Sequence, residues 1–254
     1  MKLRPILASW VLMGAVPAQA SNHFVSIVEV FPGTVAQPTA QYVVLQSFFT
    51  GQNFLAGQSL HFYDRNNVLV GTATFPANNA NGANQAKYLV STAAAATLFN
   101  VTADLVMANP NVIPSGGKIC WDTTLFGTAD CVAWGDNPGT AGTVAHTDTG
   151  TPFSKPYGLA LGDAMVRRLD VSGSPTALDA ADDTDNCKND FLAGTPAPKN
   201  SANQTGTPPS PNCGNDQLDG LEQCDDGGTM DGDGCSSTCR IEPDGIFRDG
   251  HEGF

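Results

Sequence analysis

The sequence predicts an all-β protein, a β-sandwich followed by a small disulfide-rich module, and three observations carry that expectation. From residue 24 to 169 the apolar runs are short, β-branched or aromatic, and separated by Gly, Pro and Asn, the pattern of strands joined by turns. From 213 to 241 four cysteines punctuate a run rich in Asp and Gly whose only aliphatic side chains larger than Ala are Leu218, Leu221, Met230 and Ile241. That is too little apolar area to offset the ordering of about thirty residues at roughly 1–2 kcal/mol each. Finally, no run after the N-terminal leader approaches the ~20 apolar residues of a spanning helix.

The leader itself is legible. Lys2 and Arg4 precede the apolar run Ile6 to Val16, then Pro17 and the small-residue motif Ala18-Gln19-Ala20. This is the pattern of a secretory signal peptide over 1–20 with cleavage after Ala20, and it predicts a secreted, extracellular chain in which disulfides form. Losing the two positive charges of Lys2 and Arg4 takes the formal charge from −13 to −15. Such acidity argues against nucleic acid and anionic membrane surfaces as partners and favours cations and basic partners.

The body, residues 21–199, is long enough for one well-buried domain. Its candidate strands are Phe24–Phe31, Tyr42–Phe49, Ser59–Tyr63, Val68–Phe75, Lys87–Ser91, Leu105–Ala108, Lys118–Trp121, Cys131–Trp134 and Met165–Leu169. Asn66-Asn67 between two of them reads as a hairpin turn. A short helix is expected at Ala93–Phe99, where Ala is abundant and Thr92 can cap. Cys120 and Cys131 sit on neighbouring candidate strands and are expected to bridge the base of a loop holding Phe126 and Gly127, with Trp121 and Trp134 as core residues beside them. Cys187, the seventh cysteine, lies in the acidic loop Asp182-Asp183-Thr184-Asp185-Asn186, which lacks the Gly and terminal Glu of an EF-hand. It reads as a free or intermolecular thiol, with pairing to Cys120 or Cys131 as the alternative.

No catalytic residue is assigned. The four histidines, His23, His61, His146 and His251, belong to no Gly-x-Ser-x-Gly elbow, His-Glu-x-x-His helix or phosphate loop, and His61 alternates with Leu60 and Phe62 as a surface strand residue would. A close-set His and carboxylate in a pocket would argue for an enzyme, and an exposed apolar patch for a binder over a spacer.

Several segments of the body resemble lamin tail domains: Ile27-Val28-Glu29-Val30, then Gln41-Tyr42-Val43-Val44-Leu45-Gln46, then Leu60-His61-Phe62-Tyr63-Asp64. Gly116–Trp121, Asp130–Gly135, Asp185–Phe191 and Pro196–Asn200 match further segments of secreted bacterial relatives; Val44 stands where a Glu is common. The resemblance implies an immunoglobulin-like sandwich with an accessory or interaction role; the partner class expected of a secreted binder is an extracellular protein or polysaccharide.

Residues 200–212 are polar and Pro-rich and read as a linker. In the module beyond, Cys213, Cys224, Cys235 and Cys239 form two disulfides in one of three connectivities. Asp225, Asp226, Asp231 and Asp233 are interleaved with glycines that permit tight turns, so they are candidate ligands for a hard cation, calcium above all. The alternative is a solvated acidic loop pinned by cystines. Residues 213–239 resemble the myxococcal cysteine-rich repeat, which is akin to calcium-binding Lin-12/Notch repeats, through Cys213-Gly214-Asn215, Cys224-Asp225-Asp226-Gly227 and Gly232-Asp233-Gly234-Cys235-Ser236-Ser237-Thr238-Cys239. Asp216, Leu221 and Gly228 depart from the family pattern, and Gly228 replaces an Asn whose side chain would supply an oxygen. Calcium is the one cofactor expected. The tail, 242–254, resembles a short C-terminal motif of secreted Gram-negative proteins, with His251 in place of Phe, and such a motif implies a sorting address.

Overall fold

The computed structural model describes residues 23–140 and 147–242. The leader, all of the tail but Glu242, and His146 therefore lie outside the described residues.

Among the described residues, ten strands form two sheets. They are β1 (Val25–Phe31), β2 (Tyr42–Ser47), β3 (Ser59–Asp64), β4 (Leu69–Thr74), β5 (Lys87–Thr92), β6 (Leu105–Met107), β7 (Gly116–Thr123), β8 (Gly127–Gly135), β9 (Ala164–Arg167) and β10 (Phe191–Gly194). One sheet has the order β10-β9-β1-β2-β5-β6 and the other β4-β3-β7-β8. All pairings are antiparallel except β5 with β6. The fold is thus all-β, as expected.

Between the sheets, Ile27, Val30, Val43, Leu45 and Val90 meet Leu60, Phe62, Ile119, Trp121, Val132 and Trp134. On β3 the alternation is clean, with Leu60 and Phe62 buried and His61 half-buried on the opposite face. On β1 and β2 every residue is buried, because a second apolar layer covers the outer face of the larger sheet. Phe31 stacks on Tyr42 at 5.1 Å, and Phe99 meets both rings edge-on at 5.2 and 5.4 Å. Phe99 closes helix α1 (Ala93–Leu98), whose N-cap is Thr92 accepting the Ala95 N–H.

The β3–β4 hairpin turns at Asn67, which has φ +61°, while the Asp64 carboxylate accepts the Asn66 and Val68 N–H groups. Strand β10 had no counterpart in the sequence expectations; it pairs with β9 from Phe191↔Arg167 to Gly194↔Ala164.

Beneath the outer layer sits a buried carboxylate. Glu29 Oε1 accepts the Tyr42 hydroxyl at 2.5 Å and the Ala197 N–H at 2.7 Å. Burial, the largest effect, pushes the Glu29 carboxyl above its ordinary value despite those two donors. A raised folded pKa means a stability contribution present below the ordinary Glu range and lost as pH rises through the folded value. Glu29→Gln keeps an acceptor oxygen and removes the buried charge. The variant is expected to gain on the order of 1 kcal/mol over the parent at pH 7–8, a common size for single substitutions, and to gain nothing near pH 4. Urea melts at the two pH values check this.

Candidate functional site

Three regions carry chemistry: the ion-paired seam between the sheets, the cystine module with its junction to the sandwich, and the aromatic end of the sandwich.

At the seam, β1 has a bulge between Ile27 and Glu29, and β9 pairs only with Glu29 and Val30. Ile27 therefore needs partners from side chains. Asp130 Oδ2 on β8 accepts its N–H at 2.6 Å, and Arg167 Nε on β9 donates to its carbonyl at 2.9 Å. Arg167 Nη2 lies 3.2 Å from Asp130 Oδ2, with both side chains 1% exposed. Nη1 approaches Asp183 at 3.5 Å and donates to the Asp182 carbonyl, and the guanidinium lies over the Phe191 ring. These contacts staple the two sheets together. Sequence reasoning missed the staple, although an Arg ending the otherwise apolar strand Ala164-Met165-Val166 was a signal.

The remaining cysteine lies close by. Cys187 is free and 2% exposed, and its Sγ accepts the Ala133 N–H at 3.3 Å. Burial pushes its thiol up to about 12. Since only an exposed thiolate reacts, Ellman's reagent should count no thiol in the native protein and one after denaturation. A native count of one would mean that the 187 loop opens.

Cys120 and Cys131 are directly opposed on β7 and β8 and are bridged, with Cα atoms 4.1 Å apart. Trp121 and Trp134 are 0% and 1% exposed, as core residues should be. His61 Nδ1 does meet a carboxylate, Asp122 Oδ2, at 2.9 Å. The pair lies on the half-exposed outer face of the smaller sheet, and the nearby Ser59 hydroxyl is bonded to Thr74 Oγ1 at 2.8 Å. Nothing there resembles an enclosed nucleophile and base.

In the module, the pairing is Cys213–Cys239 and Cys224–Cys235, one bridge nested inside the other. The four aspartates divide their roles. Asp225 accepts N–H groups from Gly214, Asn215, Asp216 and Gly227 at 2.8–3.3 Å, and these donors, Gly227 first, hold its carboxyl below the ordinary range. Asp231 accepts the Ser237 N–H at 2.7 Å and is likewise lowered. Asp226 accepts the Gly228 N–H, and a side chain at 228 would point between the carboxylates of Asp226 and Asp233. Among the described residues, one group of three His, Cys, Asp or Glu ligand atoms lies within 4.8 Å of one another: Cys213, Glu222 and Cys239. Two of those sulfurs are spent in a disulfide. Of the four aspartates, Asp225, Asp226 and Asp231 thus organise the loop by accepting backbone N–H groups, and none of the four belongs to that group of three.

The module sits against the sandwich. Leu221 is buried in the outer apolar layer beside Gly162, where an added Cβ would lie 2.5 Å from the Leu221 carbonyl. Asp163 receives Gln223 Nε2 on one oxygen and Arg240 Nη1 on the other. The first half of the expected linker is hydrogen-bonded to the sandwich: Ser201 to Asp104, Gly206 N–H to the Pro198 carbonyl, Thr207 N–H to the Phe99 carbonyl.

At one end of the sandwich aromatic rings gather. His23 lies 3.8 Å from Phe24 and 5.0 Å from Phe126, and Phe24 lies 5.5 Å from Phe48 and 5.4 Å from Phe49. Phe49, Leu125 and Phe126 are 57%, 63% and 60% exposed. The β7–β8 tip carrying Leu125 and Phe126 is fixed by Thr123, whose hydroxyl accepts the Phe126 N–H and donates to the Gly127 carbonyl.

These features define a disulfide-braced all-β sandwich protein with a docked cystine module. No family model, curated protein or solved structure matches the chain.

Proposed function

We propose that this chain is a secreted, non-catalytic binding or scaffolding protein of the lamin-tail type carrying a cysteine-rich repeat, and that its sandwich recognises an extracellular partner. The observation that carries this is the exposed aromatic end: Phe49, which follows β2 and packs on Phe24, and Leu125 and Phe126 on the β7–β8 tip are each more than half exposed, and that tip is held by hydrogen bonds. Large apolar side chains grouped on a rigid β scaffold mark a recognition surface more than a spacer. Three disulfides fit an oxidising compartment, and no helix among the described residues is long and apolar enough to cross a membrane.

The test is fractionation of cells producing the tagged protein and its Phe49→Ser/Phe126→Ser variant. The parent should lack residues 1–20 and pellet with the cell surface or its matrix, whereas the variant should pass into the medium. Equal partitioning would remove the binding role, and retention inside the cell would remove secretion.

The same proposal includes calcium as a ligand of the 225–233 loop, with the requirement that Asp225 or Asp231 release some of the backbone N–H groups it accepts and turn an oxygen to the ion. A calorimetric calcium titration of the whole protein decides the matter. Saturable heat that is absent in Asp233→Ala supports the ion, and no heat up to about 10 mM, beyond the range of extracellular modules, removes it.

A further inference from the structure

The junction between module and sandwich encloses a cleft of about 340 Å³, walled by Pro208, Pro209 and Pro211 on one side and Leu221, Thr238 and Arg240 on the other. Its size falls at the lower end of small-ligand sites, which favour such junctions between structural units. Both walls are anchored. Thr207 N–H is bonded to the Phe99 carbonyl just before the prolines, and the backbone of Pro209 and Ser210 packs against Gly220. Thr238 precedes the bridged Cys239, and Arg240 is held by Asp163.

The chemistry of the lining narrows the ligand. The one charged lining side chain, Arg240, is already neutralised by Asp163, so the cleft attracts neither anions nor cations strongly. The chain's charge of −13 disfavours anions further. Prolyl rings and Leu221 offer flat aliphatic surface, while Thr195 and Ser210 offer hydroxyls and Thr238, whose Oγ1 meets Ser236 Oγ at 3.0 Å, keeps a further lone pair. The hydrogen bond of Arg240 uses Nη1, which leaves Nε and Nη2 as donors. Three prolines in four residues remove most backbone N–H groups, so an extended peptide could not pair with that wall as a strand does.

We infer that this inter-module cleft binds a neutral, polyhydroxylated ligand, a sugar residue of an uncharged polysaccharide. A sugar ring presents aliphatic C–H faces to the prolines and hydroxyls that both donate and accept.

The full protein, titrated by calorimetry and saturation-transfer NMR with cellotetraose, xylotetraose, maltotetraose and chitotetraose, tests the inference. At least one should bind saturably, and Thr195→Trp, which fills the cleft from an exposed position, should weaken it at least tenfold. Thr238→Val should weaken it several-fold, with the amide spectrum of the sandwich unchanged in both variants. No saturable binding by any of the four overturns the inference. So does binding that survives Thr195→Trp, or binding confined to a charged oligosaccharide such as tetragalacturonate or to a peptide. Because Phe49 and Phe126 lie on other elements, the Phe49→Ser/Phe126→Ser variant should keep the sugar affinity, which separates failure here from failure of the aromatic surface.

Discussion

Arg167→Met is expected to cost about 3–5 kcal/mol, the usual penalty for removing one partner of a buried ion pair, and to lower Tm by roughly 6–20 °C for a domain of this size. The reason lies in what the substitution strands. Asp130 is 0% exposed and would lose the guanidinium that offsets its buried charge, while still accepting the Ile27 N–H. The Ile27 carbonyl, left without a strand partner at the bulge, would lose Arg167 Nε. The Asp182 carbonyl would lose its donor as well, and Asp183 its ion partner. Methionine replaces the stem of the arginine and none of these bonds. Adding Asp130→Asn to Arg167→Met should recover part of the loss, because the amide oxygen still accepts from Ile27 without a buried charge. Urea denaturation of the three variants measures this, and a double variant no better than Arg167→Met alone would show that Asp130 is not the stranded charge.

The strands were legible wherever β-branched and aromatic residues cluster between turn formers, so nine candidate strands have counterparts in the fold. β10 was not, because Leu192 and Ala193 are exposed and only its pairing with β9 makes Phe191–Gly194 a strand. At residues 200–207 the Pro and polar content suggests a solvated tether, while the structure ties the segment to the sandwich. There the docking comes from hydrogen bonds, Ser201 N–H to Asp104 and Thr102 N–H to Gln204 Oε1, and a polar side chain looks the same in sequence whether its partner is water or protein. The cysteines divide the same way. Opposed positions on neighbouring strands made Cys120–Cys131 readable, whereas choosing Cys213–Cys239 over its rivals requires the path of the loop. Sequence likewise shows that Asp225 is near other acids, but not that four amides point at it.

Cys224→Ser with Cys235→Ser should melt the module and leave the sandwich folded. On the chain-entropy model the inner bridge, with a sequence separation of 11, is worth roughly 3 kcal/mol, and the outer, with 26, roughly 3.5 kcal/mol. Little else holds the module: Leu221 is its one buried aliphatic side chain, and the N–H groups that Asp225 and Asp231 gather are exposed enough for water to replace them. Losing the inner bridge also frees Cys235 from its pairing with Ile241, which helps place Arg240 against Asp163. Removing Cys120–Cys131 subtracts a comparable chain-entropy term, yet there β7 and β8 keep their ladder and the buried Ile119, Trp121, Val132 and Trp134. Its loss should lower Tm without exposing a new segment. Limited proteolysis separates the two cases: the 224/235 variant should be cut within 214–238 while the 23–207 fragment persists, and the 120/131 variant should be cut nowhere new. If the 224/235 variant resists protease as the parent does, the carboxylate and amide contacts together with Leu221 suffice to fold the module, and the outer cystine alone closes it.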